Sequence, residues 1–239
     1  MIWKAAVFDY RTFDKKEREM YARDIVTEGI KPLDYNDTGE NAIVHMHEYN
    51  VNQLPVTEDG RYIGVLSLDD IITLKHLNDP LKTLKIALKR PYVTENAHLY
   101  DVMKAAVEHN AKVVPVLSKD DTYLGLITAE SSLKAVARMQ SVMDEGGMLT
   151  LSVPVRDYQL SPIARIVEDN GANILNLYTE IDQKSGTVDV TMKLNTIELS
   201  PIIAAFERYE YEVKDVRQDQ HYQEDVKDRY DAFMKYLNV

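Results

Sequence analysis

The sequence predicts a mixed α/β and α+β protein, in which a duplicated helix–strand–strand–helix unit precedes a strand–helix–strand–strand–helix–strand domain. Two internal repeats support this prediction. Residues 52–70 and 112–131 share a hydrophobic-Pro-Val strand followed by a glycine-containing strand, and the tetrapeptide LSPI occurs at residues 160–163 and again at 199–202. In addition, apolar residues alternate before each LSPI segment, which is typical of half-buried strands.

The composition narrows the classes of function. The chain has 239 residues, and 28 Lys and Arg against 39 Asp and Glu give a net charge of −11. Such a surface repels phosphate backbones and anionic lipid, which argues against nucleic-acid or membrane binding as the main task. The absence of cysteine excludes disulfides, thiolate zinc sites and Cys nucleophiles. No apolar run approaches roughly 18 residues, so we expect a cytoplasmic protein.

The first repeat aligns with a shift that grows along the unit. Pro55 corresponds to Pro115 and Gly64 to Gly125, so the shift grows from 60 to 61 and one residue has entered the turn. A helical pattern precedes each copy. Because one such unit cannot cover its own apolar strands, we expect the two units to pack as a pseudo-symmetric pair.

The second repeat predicts a domain with helices on one side of an antiparallel sheet. Strands with period-2 alternation fall at 149–155 and 188–194, and a Ser-Pro pair after each one predicts a helix start. Further strands follow at about 173–181 and 211–217. The resulting βαββαβ order is the ferredoxin-like layout.

Five regions follow from these patterns. They are an N-terminal extension (1–19), the two copies of the first repeat (20–78 and 79–143), the βαββαβ domain (148–217) and a C-terminal amphipathic helix (218–239). The segment Asp144–Gly147 reads as a linker. The helix is predicted from a stripe of apolar side chains, namely Tyr222, Val226, Tyr230, Phe233 and Leu237.

Residues 20–140 resemble a tandem pair of CBS domains, called a Bateman module, through the two Pro-Val strands and the segment Gly64–Asp70. Residues 148–217 resemble an ACT domain through the segments VRDY (155–158) and NGANI (170–174). The combined order is similar to that of acetoin-utilisation-type regulatory proteins of bacteria.

The CBS resemblance implies a site for AMP, ADP, ATP or another adenosine compound. Asp70 would hold the ribose hydroxyls, because an ionised carboxylate only accepts hydrogen bonds. The other implied residues serve the phosphate or ribose (Ser67, Asp69, Asn52, Gln53, Arg90 and Lys112) or form apolar walls for the base (Ala111 and Val113). The alternative is that Asp69 or Asp70 simply caps the following helix.

The second copy departs from this pattern. Thr128 is present, but Ser131 stands where the first copy has Asp70. A serine hydroxyl cannot hold a diol as a carboxylate does. We therefore expect one competent site centred on Asp70 and one weakened or empty site near Thr128.

In the ACT-like domain, the family's effector loop corresponds to Arg156–Leu160, where the usual glycine is missing. An amino-acid effector could bind there, but dimerisation through the sheet or helices is the favoured use. His45 and His47 are two residues apart on a helix and point to different faces, so we expect no metal site.

The chain contains no GxxxxGK, GxGxxG, GxSxG or HExxH motif, and we expect no enzymatic activity. The sequence predicts a homodimeric, ligand-sensing regulatory protein that acts on an unidentified protein partner. The alternative is a dimerisation or adaptor module with empty clefts.

Overall fold

The computed structural model describes residues 20–73, 76–84 and 86–217. The predicted N-terminal extension and C-terminal helix lie outside these residues. The chain divides into two compact units, Met1–Val136 and Ala137–Val239. Within the described ranges, no helix is long and apolar enough to cross a membrane.

The first repeat forms a small sheet with two helices. Its elements are β1 (Leu33–Asp34), α1 (Gly39–Glu48), β2 (Gln53–Glu58), β3 (Arg61–Ser67) and α2 (Leu68–Ile72). The strand order is β1-β2-β3, with β2 antiparallel to β3 and parallel to β1. Helix α1 begins where the Thr38 hydroxyl accepts a hydrogen bond from the Asn41 N–H, at 3.2 Å. Its residues Ala42 and Met46 are buried against the strands.

The second repeat has the same elements in the same order. They are β4 (Val93–Thr94), α3 (Leu99–His109), β5 (Val113–Leu117), β6 (Tyr123–Thr128) and α4 (Ala129–Met139), and the sheet order is β4-β5-β6. The duplicated unit predicted from the sequence is therefore confirmed. The short parallel strands β1 and β4 were not predicted, because two residues carry no periodicity.

The leading segment of each repeat, before its first helix, crosses to the other repeat. Thr27 pairs with Leu126 on β6, and its N–H donates to the Leu126 carbonyl at 2.8 Å. Lys89 pairs in the same way with Val65 on β3, whose N–H donates to the Lys89 carbonyl at 2.9 Å. This exchange ties the repeats together with backbone hydrogen bonds as well as with side-chain packing.

A buried cluster of Tyr62, Val65, Val113, Leu117 and Leu126 joins the two repeats. The Tyr62 hydroxyl donates to the Pro91 carbonyl at 2.7 Å. Burial raises the pKa of the Tyr62 phenol far above its usual value. Both repeats contribute to this cluster, which adds to the core that the first repeat forms from its own strands and helices.

The second unit consists of β7 (Met148–Pro154), α5 (Leu160–Asp169), β8 (Ile174–Asp182), β9 (Thr187–Leu194), α6 (Ser200–Arg208) and β10 (Glu212–Arg217). Its sheet has the order β10-β7-β9-β8, and every neighbouring pair is antiparallel. Alternating residues of β7 and β9, such as Leu151 and Val190, pack against Ile163 of α5 and Phe206 of α6. Both helices thus cover the apolar face of the sheet.

Candidate functional site

A cleft of about 1020 Å³ opens within the first unit, where the two repeats meet. The end of α1 and the following turn form one side, and the starts of β5 and α4 form the other. Apolar side chains make up much of its wall, including Ile30, Ile43, Met46, Val51 and Val113. Polar side chains accompany them, namely Thr27, His47, Asn52, Lys112, Thr128 and Glu130. An apolar wall with a few convergent polar groups is typical of a small-molecule site.

Equivalent positions of the two repeats come together in this cleft. Asn52 corresponds to Lys112 by the shift of 60, and Leu68 corresponds to Ala129 by the shift of 61. The Leu68 N–H donates to the Asn52 carbonyl at 2.9 Å, and the Ala129 N–H donates to the Lys112 carbonyl at 3.1 Å. The pseudo-symmetry predicted from the sequence therefore extends to the hydrogen bonds that shape the cleft.

The charged side chains of the lining are Lys112 and Glu130, and His47 adds an imidazole. Glu130 accepts a hydrogen bond from Lys134 at 2.6 Å, which lowers the pKa of the Glu130 carboxyl. Because Lys134 neutralises the Glu130 carboxylate, the charge of Lys112 is the main one that a ligand in the cleft would meet. The arrangement suits an anionic ligand more than a cationic one.

A network of three hydroxyl groups occupies the start of α4. Ser131 Oγ donates to the Thr128 carbonyl at 3.1 Å and accepts from the Thr128 N–H at 3.0 Å. The Thr27 hydroxyl donates to Ser131 Oγ at 3.0 Å and lies 3.3 Å from Thr128 Oγ1. Thr27 reaches this position only because its segment crosses from the other repeat.

The corresponding position at the start of α2 is a capping box built on a carboxylate. Asp70 Oδ2 accepts from the Ser67 N–H at 3.0 Å and from the Ser67 hydroxyl at 2.5 Å, while the Asp70 N–H donates back to Ser67 Oγ at 3.1 Å. Asp70 therefore caps helix α2 through its Oδ2 atom, as the helix-capping alternative predicts. Asp70 Oδ1 has no hydrogen-bond partner among the described residues.

The structure gathers four of the ten predicted site residues in one cleft. Asn52, Lys112 and Val113 lie there together with Thr128. Ser67, Asp69, Asp70, Gln53, Arg90 and Ala111 are not part of its lining. A site that Asn52, Lys112 and Val113 share with Asp70 stays a prediction.

Two of the predicted phosphate-binding residues make other contacts. Gln53 Oε1 accepts a hydrogen bond from the Lys112 N–H at 2.7 Å, so it links the repeats. The Arg90 guanidinium lies 5.5 Å from the Tyr62 ring and 5.6 Å from the Tyr92 ring, and pairs with Asp121 at 3.6 Å. Stacking on aromatic rings accounts for the placement of Arg90.

The starts of both helices reach the cleft, because Leu68 of α2 and Ala129 of α4 line it. Helix α2 has five residues and α4 has eleven. A helix N-terminus attracts anions through its unpaired N–H groups, and at α4 this effect adds to that of Lys112. An anion-binding helix end beside Asp70 stays a prediction.

Sequence reasoning missed Thr27, Ile30 and His47 as residues of the cleft. His47 was considered only as a metal ligand, and it is exposed on α1 at the border of the cleft. Thr27 and Ile30 lie in the leading segment of the first repeat and carry no local signal that they reach the second. Recognising that the leading segments cross between repeats would have been the one way to find them.

In the second unit, the predicted effector loop contains a short 3-10 turn over Val155–Asp157. Arg156 and Asp157 pair with each other there at 3.3 Å, and both are exposed. An amino-acid effector at this loop stays a prediction. No group of three or more potential metal-ligating side chains occurs in the part of the chain that the structure describes.

Comparison with known proteins matches the CBS domain family at residues 22–76 and 85–138. Hypoxic response protein 1 of Mycobacterium tuberculosis is 31% identical over 114 residues, which cover 45% of this chain and 78% of that protein.

Two solved structures are also similar. A CBS domain pair/ACT domain protein from Thermotoga maritima is 20% identical, with a TM-score of 0.46, over 50% of this chain and 98% of that one. CBSX2 in complex with AMP is 20% identical, with a TM-score of 0.44, over 49% of this chain and 96% of that one. The CBS family model matches twice, and hypoxic response protein 1 is 31% identical over 78% of its own length. The chain therefore belongs to the CBS domain family.

Proposed function

We propose that this protein is a regulatory module that binds an adenosine-containing nucleotide in the cleft between its two CBS repeats. CBS-pair proteins are regulatory and often bind adenosine ligands. The observation that carries the proposal is the cleft itself, since its apolar wall suits a base and Lys112 with the start of α4 suits a phosphate. A ribose contact from Asp70, in a second site, stays a prediction.

Regulation would follow from a shift in population. A nucleotide that binds one arrangement of the two repeats more tightly than another stabilises that arrangement. The change reaches a partner protein when the favoured arrangement presents a different surface. The ACT assignment, an amino-acid effector, the acetoin-type role and a cytoplasmic location also remain predictions.

A thermal-shift series with AMP, ADP, ATP, S-adenosylmethionine and NAD tests nucleotide binding. A ligand at a hundred times its dissociation constant stabilises the folded state by about 2.7 kcal/mol. We expect a shift with at least one adenine nucleotide. The absence of any shift across the series would contradict the proposal.

A pair of lysine variants locates the binding. Lys112→Ala should weaken nucleotide affinity about tenfold, because a charge-assisted hydrogen bond to phosphate is lost. Lys104→Ala is the matched control, since Lys104 lies on α3, pairs with Glu108 at 3.8 Å and is not part of the cleft. Equal affinities of the two variants would place the ligand elsewhere.

A second candidate function, dimerisation without a nucleotide, is favoured by an exposed apolar row on α3. Tyr100, Met103 and Val107 are 61%, 38% and 82% exposed and share one helix face. We expect light scattering to report a dimer that Val107→Glu dissociates. A monomeric wild-type protein would exclude this function, and a dimer with no nucleotide shift would favour it over sensing.

A further inference from the structure

We propose that Gln53 is a positioning residue for Lys112, and that its side chain links the cation of the cleft to the contact between the two repeats. This inference rests on the nucleotide-binding function proposed above and deepens it, because it names what holds the phosphate-binding lysine in place. Gln53 is not part of the cleft lining, so it acts through Lys112.

The backbone of Lys112 is held from both repeats. Its N–H donates to Gln53 Oε1 of the first repeat at 2.7 Å, and its carbonyl accepts from the Ala129 N–H of the second repeat at 3.1 Å. Because peptide groups are planar, these two bonds orient the peptide groups on either side of the Lys112 Cα and therefore the bond to its side chain. A cation whose backbone is oriented in advance loses less freedom when it binds an anion.

The equivalent position of the first repeat lacks this link. Asn52 corresponds to Lys112, and its carbonyl likewise accepts a hydrogen bond, from the Leu68 N–H at 2.9 Å. Gln53 corresponds to Val113, whose apolar side chain cannot accept a hydrogen bond from a backbone N–H. The link therefore occurs at the residue that carries the charge, and its counterpart at the uncharged Asn52 cannot form.

The hydrogen bond from Lys112 to Gln53 is suited to positioning more than to holding the repeats together. It is exposed to solvent, whereas the buried cluster that contains Tyr62 and the backbone pairing of the leading segments join the repeats elsewhere. Water can replace an exposed acceptor at little cost to stability. Removal of the Gln53 oxygen should therefore affect Lys112 more than the fold.

Calorimetry on the full chain tests this role by comparing AMP with adenosine, which lacks the phosphate that Lys112 would contact. Gln53→Met keeps the length of the side chain and replaces its carbonyl oxygen by a sulfur that accepts only weakly. We expect this variant to bind AMP about three- to fivefold more weakly and adenosine with an unchanged dissociation constant. Equal weakening of both ligands, or no weakening of AMP, would overturn the inference.

The double variant Gln53→Met, Lys112→Ala separates positioning from a direct contact between Gln53 and phosphate. If Gln53 acts through the Lys112 ammonium, the double variant should bind AMP as Lys112→Ala does, within about twofold, because no cation is left to position. Additional weakening of about threefold or more would show that Gln53 acts on the ligand by itself, which would contradict the inference.

Gln159→Met is the matched control for Gln53→Met. Gln159 is exposed before α5 in the second unit and makes no capping hydrogen bond there. Its variant should leave both dissociation constants unchanged, and an equal loss of AMP affinity in the control would remove the support for Gln53. Thermal unfolding without ligand should show that Gln53→Met is folded. An unfolded Gln53→Met would assign the bond to holding the repeats together and would also contradict the inference.

The outcomes separate this inference from the proposed function. If AMP does not bind the wild-type protein, the proposed function fails and the inference fails with it. If AMP binds the wild-type protein and Gln53→Met equally well, nucleotide binding holds and the positioning role of Gln53 is wrong.

Discussion

The two repeats use the same frame and differ in the chemistry at one position. At the start of α2 a carboxylate closes the cap, and at the start of α4 three hydroxyl groups do so. Both arrangements satisfy the backbone N–H groups of the helix, so stability alone did not require the difference. The comparison teaches that a duplicated fold can keep its packing while its two potential ligand sites diverge.

The largest expected effect concerns the glycine of β3. A Cβ at Gly64 would lie 2.6 Å from Leu88 Cβ and 2.8 Å from the Lys89 carbonyl oxygen, so the crossing segment would have to move. We expect Gly64→Ala to lower the free energy of unfolding by about 2–3 kcal/mol. Urea denaturation followed by circular dichroism measures it.

Gly60→Ala is the control for Gly64→Ala. Gly60 has a φ of +77° and open space around its Cβ position, so only backbone strain of about 1 kcal/mol applies. If Gly64→Ala were no more harmful than this control, the close docking of the crossing segment on β3 would be wrong.

The equivalent tyrosines of the two repeats should respond in opposite ways. Tyr62→Phe leaves the Pro91 carbonyl without its 2.7 Å hydrogen bond and should cost about 1–2 kcal/mol. The Tyr123 hydroxyl is buried with no partner in the described structure, so Tyr123→Phe should be neutral or stabilise by up to about 1 kcal/mol. Chemical denaturation of both variants measures the contrast, and a costly Tyr123→Phe would indicate a partner such as a bound water.

The two helix caps should differ in their salt dependence. Asp70→Ala and Ser131→Ala each remove hydrogen bonds at the start of a helix, and each should cost about 1 kcal/mol. The Asp70 contribution includes attraction of its charge to the helix N-terminus, so its cost should shrink in about 1 M salt. The Ser131 cost should stay constant. Equal salt dependence would show that the Asp70 charge does not contribute.

The smallest effect is a loss of stability at alkaline pH. Burial raises the pKa of Tyr62 and Tyr123 in the folded state above the unfolded value of about 10. Above pH 10 the unfolded chain therefore loses protons that the folded protein keeps, and the free energy of unfolding falls as pH rises. The double variant with Phe at both positions should lose less stability between about pH 10 and 11 than the wild type. An unchanged slope would assign the alkaline loss to other groups.

The duplicated strands were predictable because their signal is local. The Pro-Val segments and the glycine-containing segments define β2 with β3 and β5 with β6, and the short apolar runs at the Pro-Val segments are the buried stretches of β2 and β5. In the second unit, alternation predicted strands at 149–155 and 188–194, and the structure has Met148–Pro154 and Thr187–Leu194. Helix starts were predicted less well: the Ser-Pro pattern makes Ser161 the capping residue and Pro162 the first helical residue, whereas α5 begins at Leu160, two residues earlier.

The candidate site was predicted only in part. Asn52, Lys112, Val113 and Thr128 were identified by residue type, but they were assigned to two different sites. Arg90 was identified by its charge, whereas two aromatic rings and Asp121 determine its position. The type of a residue indicates which interactions its side chain can make. Contacts between segments distant in sequence determine at which site the side chain lies.

The repeat and its strands could be predicted from the sequence alone, because both depend on residues close to one another along the chain. The sequence also showed that Ser131 of the second repeat stands where the first repeat has Asp70. The grouping of residues into one cleft depended on long-range pairing. Thr27 reaches Ser131, more than 100 residues away, because a leading segment pairs with the strand of the other repeat. Such pairing is stabilised because both segments bury apolar surface when they meet. A pattern within either segment alone therefore does not predict it.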